Sequence, residues 1–214
     1  MSVKLDKKEF RKVALKTIKR STKNSAKCSN YSILNTLERL IKFSNSHKIL
    51  LYIPLKYEVD VCKIRRKLSK KCQFFAPFMV GLSLKMVRLR MPFLVSKFNV
   101  KQPLGIKRSD VRLDMAVVPV LGVDGAMARV GHGKGFYDRF FSSLPYRPKM
   151  IVFVQAKDFY IEQIMTQEHD VCGEFYITPR QNYIKRGIYD RSFNRLRSRC
   201  GGRWSRVCVC KKDK

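Results

Sequence analysis

Three glycines alternate at Gly131, Gly133 and Gly135, and the residues around them are the types that phosphate chemistry uses. Lys134 puts a cation inside the loop, Arg129 puts another just before it, and Asp138 puts a carboxylate just after it. An apolar run, Met115 to Val120, precedes the glycines, and a helix is expected to start near Phe136. A strand, a Gly-rich loop and a helix N-terminus bring backbone N–H groups together on an anion. Asp138 adds an oxygen donor of the kind magnesium takes. The spacing Gly-x-Gly-x-Gly is neither the dinucleotide fingerprint nor the P-loop, which requires Gly-Lys followed by Ser or Thr. On the loop alone, a turn whose glycines supply positive φ is the alternative.

The longer string Arg129-Val130-Gly131-His132-Gly133-Lys134-Gly135-Phe136-Tyr137-Asp138-Arg139, with Asp124-Gly125 ahead of it, resembles the nucleotide loop of the 5-formyltetrahydrofolate cyclo-ligase (methenyltetrahydrofolate synthetase) family. Three further pieces follow the family's order. Lys7-Lys8-Glu9-Phe10-Arg11 is similar to its N-terminal Lys-x-x-Leu-Arg. Tyr52-Ile53-Pro54 with Glu58-Val59-Asp60 is similar to its folate-facing strand and turn. His169-Asp170-Val171 with Glu174 to Thr178 resembles its late His-Asp-Val segment. The chain departs from the family pattern at His132, where the loop has arginine, and at Lys134, where it has glycine. Gly105-Ile106-Lys107-Arg108-Ser109 lacks the family's acidic residue, and the late aspartate is Glu174.

The resemblance implies an ATP-dependent ring closure of 5-formyltetrahydrofolate to 5,10-methenyltetrahydrofolate, releasing ADP and phosphate. It implies that Lys7, Arg11, Arg129 and Lys134, with the loop Gly131-His132-Gly133-Lys134-Gly135, hold the triphosphate. Asp138 and Glu174 would hold Mg2+. Glu58 would bind polar atoms of the pterin with Ile53 packing beside it, and Phe136 and Tyr137 would stack on the folate or the adenine. Each residue taken singly has a plainer reading. Lys7 and Arg11 stand at i, i+4 on one helix face, where basic residues are often only solvated. Glu58 suits a helix N-terminus, Asp138 suits a pair with a neighbouring arginine, and His132 suits a simple loop. A second function is also open: a catalytically weakened member of the same fold that binds RNA through its basic surface.

These residues need elements to hold them. Residues 4 to 20 carry apolar positions at Leu5, Phe10, Val13, Ala14 and Ile18, a helical period with a basic outer face. Residues 21 to 30 read as loop, and 31 to 43 as a second helix through Ile33, Leu34, Leu37, Leu40 and Ile41. Ile49 to Ile53 is a continuous apolar run, as in a strand buried on both faces. A helix through Val61, Ile64 and Leu68 follows, then strands at Phe74 to Pro77 and Leu82 to Arg90, and a loop from Asn99 to Ser109. Beyond the glycines, Met150 to Val154 reads as a strand, Phe159 to Met165 as a helix and Phe175 to Ile177 as a last strand. Alternating strands and helices predict an α/β three-layer sandwich, a mostly parallel central sheet with helices on both faces. Ligands of such sheets bind beyond the strand C-termini. Pro54 to Glu58, the glycine loop and Thr178 all follow strands.

The 214 residues suffice for one large core. Apolar content of 45% and aromatic content of 11% argue for a folded rather than a disordered chain. The 46 Lys and Arg against 16 Asp and Glu give a formal charge of +30. Such a surface suits nucleotides, folates and RNA alike, and equally a generally basic proteome. The seven scattered cysteines and the charged N-terminus predict free thiols, no signal peptide and a cytoplasmic location. Cys200, Cys208 and Cys210 lack the paired spacing of a zinc site. No apolar run suggests membrane insertion, and a monomer or homodimer is expected. Residues 1–189 are expected to form a single cyclo-ligase-like domain, and 190–214 a basic, solvated and poorly ordered tail. The tail's mixture of arginines with Trp204 is also compatible with phosphate contacts and base stacking.

Overall fold

Five short apolar runs form the parallel middle of one sheet. In the computed structural model, residues 6–21, 26–81, 83–89, 93–95, 101–103, 110–167 and 169–208 are described. The elements are α1 (Lys7–Ser21), α2 (Ala26–Phe43), β1 (Lys48–Leu51), a 3-10 turn (Val61–Lys63) running into α3 (Ile64–Leu68), β2 (Gln73–Val80), β3 (Ser83–Arg88), β4 (Phe93–Val95) and β5 (Lys101–Pro103). They continue with β6 (Met115–Pro119), β7 (Gly122–Asp124), β8 (Arg129–Val130), α4 (Phe136–Ser143), β9 (Met150–Val154), β10 (Tyr160–Ile161), β11 (Phe175–Ile177), β12 (Asn182–Lys185), α5 (Phe193–Cys200) and β13 (Trp204–Val207). The main sheet has eight strands in the order β13-β12-β11-β9-β6-β1-β2-β3. Strands β11, β9, β6, β1 and β2 run parallel, while β12 and β3 run antiparallel to their inner neighbours.

Alternation along the central strands feeds two cores, because successive side chains leave opposite faces of a sheet. Ile49, Leu51, Val117 and Val152 pack with Leu37 and Leu40 of α2 and Leu196 of α5. Leu50, Ala116, Val118 and Phe153 pack with Phe140 of α4. Helices therefore cover both faces, and the fold is the expected α/β sandwich. A third cluster docks Phe10, Ala14 and Ile18 of α1 on Leu121 and Val130, beside the β7–β8 hairpin. No helix among the described residues is long and apolar enough to cross a membrane.

Four expectations change. Residues 26–30 belong to α2 rather than to a loop. The segment 159–165 is not a helix: Tyr160 and Ile161 pair with β7, and the amide N–H groups of Met165 and Thr166 donate to the buried Asp124 carboxylate. A carboxylate that accepts backbone amides offers them an alternative to helical bonding. Within 99–109, Lys101–Pro103 pairs with β4, and the remainder, including Gly105 to Ser109, lies outside the described residues. The largest change concerns 190–214. Phe193, Leu196, Cys200 and Trp204 are buried, and β13 adds a parallel edge strand to β12. The segment 193–207 is thus part of the sandwich and not a tail. Its apolar residues at 193, 196 and 200 form a helical stripe that the surrounding arginines mask in a composition count.

Candidate functional site

The β7–β8 hairpin, unforeseen in the sequence, sets the glycine loop above the sheet. Asp124 holds it closed: one carboxylate oxygen accepts the Ala126 and Ala128 amides at 3.0 and 3.1 Å. The other oxygen accepts Met165 and Thr166 amides at 3.0 Å each and the Thr166 hydroxyl. The hairpin delivers Arg129 into the interior, where it is 6% exposed. Gly133 and Gly135 have φ of +89° and +64°, so the loop needs residues without a Cβ there. Gly135 precedes α4, whose first turn no side chain caps.

Two cavities meet at this loop. One of about 280 Å3 is lined by apolar side chains, among them Ile53, Pro77, Met79, Leu84 and Phe136, with Glu58, Arg129 and Lys134 as its charged members beside His132. The other, of about 530 Å3, is polar and charged. Lys7, Arg11, Arg129 and Arg139 face Asp6, Asp138 and Asp170 there, with the glycines as one wall. Arg129 and Gly135 line both.

Arg129 and Asp138 form a bidentate pair, Nε to Oδ1 at 3.0 Å and Nη2 to Oδ2 at 2.8 Å. Burial alone would raise the Asp138 pKa, but the hydrogen bonds and charge of Arg129 outweigh it and hold the carboxyl below its ordinary value. Lys7 Nζ pairs with Asp170 at 2.5 Å, and Arg11 Nε donates to the Gly131 carbonyl at 3.0 Å. Of the i, i+4 pair on α1, Arg11 thus reaches the loop and Lys7 the Asp170 side of the same cavity. On the apolar side, Glu58 Oε2 accepts the Leu55 amide at 3.0 Å, while Oε1 lies 3.5 Å from His132 Nε2. Burial, reinforced by the Glu58 charge, raises the Tyr57 hydroxyl to about 12. The same two causes, in the same order, push Tyr137 higher still. Both phenols therefore stay protonated at neutral pH.

The predicted site residues fall into three groups. Lys7, Arg11, Arg129, Gly131, Gly133 and Gly135 surround the charged cavity. Ile53, Glu58, Phe136 and Tyr137 line the apolar one, and His132 and Lys134, expected at the triphosphate, line it too. The two expected metal ligands have different partners. Asp138 is engaged by Arg129 and the Val171 amide. Glu174, at the opening of β11, is engaged by Arg147 Nη2 at 2.7 Å and by the Ile151 amide at 2.6 Å. Among the described residues no group of three or more His, Cys, Asp and Glu could hold a metal ion. A Mg2+ ion on Asp138 and Glu174 would share these carboxylates with Arg129 and Arg147. Asp170 and Arg139 were missed as cavity residues; the Lys7 pairing that marks Asp170 spans 163 positions and leaves no local signal. The described cysteines, at 62, 72, 172, 200 and 208, are free.

A model described as the 5-formyltetrahydrofolate cyclo-ligase family matches residues 3–179. The chain is 34% identical over 71 residues, 33% of its length, to a 5-formyltetrahydrofolate cyclo-ligase of Mycolicibacterium smegmatis, and covers 36% of that relative. It is 32% identical over 98 residues, 44% of its length, to the protein of that name from Mycoplasma genitalium, and covers 50% of it. The chain thus spans half or less of the length of these curated relatives. Two solved structures share the fold. One is the NMR structure of Aquifex aeolicus 5,10-methenyltetrahydrofolate synthetase, with TM-score 0.65, 24% identity and coverage of 81% of this chain and 89% of that one. The other is a 5,10-methenyltetrahydrofolate synthetase from Mycoplasma pneumoniae, with TM-score 0.61, 17% identity and coverage of 82% and 99%.

Proposed function

Since the chain belongs to the 5-formyltetrahydrofolate cyclo-ligase family, we propose that it closes the ring of 5-formyltetrahydrofolate to 5,10-methenyltetrahydrofolate with consumption of ATP. One observation carries the reading: an apolar cavity with a single carboxylate adjoins a cavity rich in cations, and the two share Arg129 and Gly135. A flat heterocycle with a polar edge suits the first, and a triphosphate suits the second.

The formyl oxygen of the substrate is amide-like and leaves poorly. Its attack on the γ-phosphorus, with ADP departing, turns it into a phosphate ester. The N10 nitrogen then attacks the formyl carbon, loses its proton, and inorganic phosphate leaves as the ring closes. Such transfer depends mainly on alignment and on charge compensation at the moving phosphoryl group. Lys7, Arg11 and Arg139 supply positive charge from one side, and Arg129 supplies it at the junction. Glu58 accepts hydrogen bonds from the pterin, with Ile53 and Phe136 against its faces. His132 and Lys134, lining the apolar cavity, sit on the folate side of the loop in this reading.

Mixing the protein with 5-formyltetrahydrofolate and Mg-ATP and following methenyl absorbance tests the reading. Product that forms only with ATP, one ADP per ring closed, is expected. Folded protein that gives no product would refute it.

A further inference from the structure

The basic residues change character along the chain. Residues 1–178 hold 22 lysines and 12 arginines, whereas 179–207 hold eight arginines and one lysine, with Asp190 as the only acid. A merely basic composition does not produce this switch. Arginine differs from lysine in binding phosphate bidentately and in stacking its planar guanidinium on bases.

Structure gathers these residues on and around α5 and β13, at the end of the sheet away from the folate and phosphate cavities. Strand β13 lies five strands from β1, roughly 24 Å at ~4.8 Å per strand. All eight arginines, from Arg180 to Arg206, are exposed. None of them makes a salt bridge among the described residues, and Asp190 accepts the Gly187 amide instead. Between helix and strand lies a shallow, open depression lined by Asn194, Arg197, Ser198, Gly202, Arg203 and Trp204. Its frame is rigid. Trp204 is 8% exposed, donates Nε1–H to the Gly201 carbonyl at 2.6 Å and packs edge-on against Phe175. Gly201 and Gly202 take φ of +65° and +76°, and Arg39 of α2 closes on the turn.

We propose that this corner binds single-stranded RNA, with Arg197 and Arg203 on a phosphate and the flanking arginines along the strand. A flexible single strand bends to follow such an open arginine surface, whereas a duplex is stiff. Single strands also expose base faces to guanidinium planes. An acidic membrane fits poorly, because the apolar residues of α5 (Phe193, Leu196, Cys200) are buried, leaving nothing to insert.

The test is fluorescence anisotropy of a labelled 20-nucleotide oligouridylate with the full chain, titrated at several salt concentrations. Arg197→Gln/Arg203→Gln is expected to weaken binding about tenfold and to flatten the log–log salt slope by about 0.7 for each phosphate no longer neutralised. Arg66→Gln/Lys70→Gln removes the same charge from the exposed side of α3 and the turn after it, and is expected to change affinity less than about threefold. Trp204 emission and ring-closing activity should be unchanged in both. Equal weakening by the two pairs would reduce the effect to net charge and overturn the proposal. Tighter binding of duplex DNA, or binding of phosphatidylserine vesicles without binding of RNA, would also overturn it.

Discussion

Arg129 and Asp138 act as one unit at the residue scale. The Arg129 side chain is 7% exposed and that of Asp138 16%, so removing either partner leaves a nearly buried charge uncompensated. Breaking such a pair costs about 3 kcal/mol. Asp138→Asn is therefore expected to lower stability in urea by about that amount, without metal present, and to abolish turnover by releasing Arg129. A carboxylate whose only task were to hold a metal ion would lose turnover with stability intact. The sign with pH follows from the lowered pKa of Asp138. The pair's contribution is complete above the ordinary carboxylate pKa and fades as pH falls through that value toward the folded one. Wild type should lose this increment on acidification, and Asp138→Asn should not. Glu58 gives a separable effect. Glu58→Gln keeps the shape but not the full acceptor set, so KM for the folate should rise at least about tenfold with KM for ATP unchanged. Equal rises in both constants would remove Glu58 from the pterin side. Much of this was legible in the sequence, where Arg129, Asp138 and the glycines stand within ten positions. The partition of the loop was not, because alternate residues of a turn point to different cavities and spacing does not say which.

Elements place these groups through packing that crosses the whole chain. Helix α1 brings Lys7 and Arg11 to the loop only because Phe10, Ala14 and Ile18 seat on Leu121 and Val130. Gly122 makes the seat: a Cβ there would come within 2.4 Å of the Phe10 ring and 2.5 Å of the Phe159 carbonyl oxygen. Gly122→Ala should push α1 outward, raising KM for ATP more than KM for the folate and costing roughly 1–3 kcal/mol, as overpacking does. A variant with both constants unchanged would show that α1 does not position the cations. The elements legible beforehand were those with a single strong period: α1, α2 and the apolar runs at 49–53, 115–120 and 150–154. Tyr160 and Ile161 became a strand instead of a helix because β7 offered them a partner; the Asp124-Gly125 turn of that hairpin is a local signal, but the Met165 and Thr166 amides that bury Asp124 come from 41 and 42 positions away.

At the scale of the whole molecule, the eight-stranded sheet has the apolar cavity beside β1, β2, β3 and β6 and a basic corner at its β13 edge. The C-terminal strand and helix are structural, since Phe193, Leu196 and Trp204 complete the core that Phe175 and Ile184 begin. Charge concealed this: eight arginines in 29 residues read as a solvated segment, and three buried apolar residues spaced along α5 outweigh them energetically. The two views separate in one variant. Leu196 is fully buried, so Leu196→Ala should cost about 2–5 kcal/mol, whereas a substitution in a solvated tail would stay within about 0.5 kcal/mol. Trp204, the only tryptophan, lies beside the change and reports it directly. Its emission should shift to the red at a lower urea midpoint in the variant, with far-ultraviolet circular dichroism falling at the same midpoint. Emission that shifts well before the dichroism would instead mean that α5 and β13 unfold separately from the sheet, and that the arginine corner is a semi-independent module joined to an otherwise complete fold.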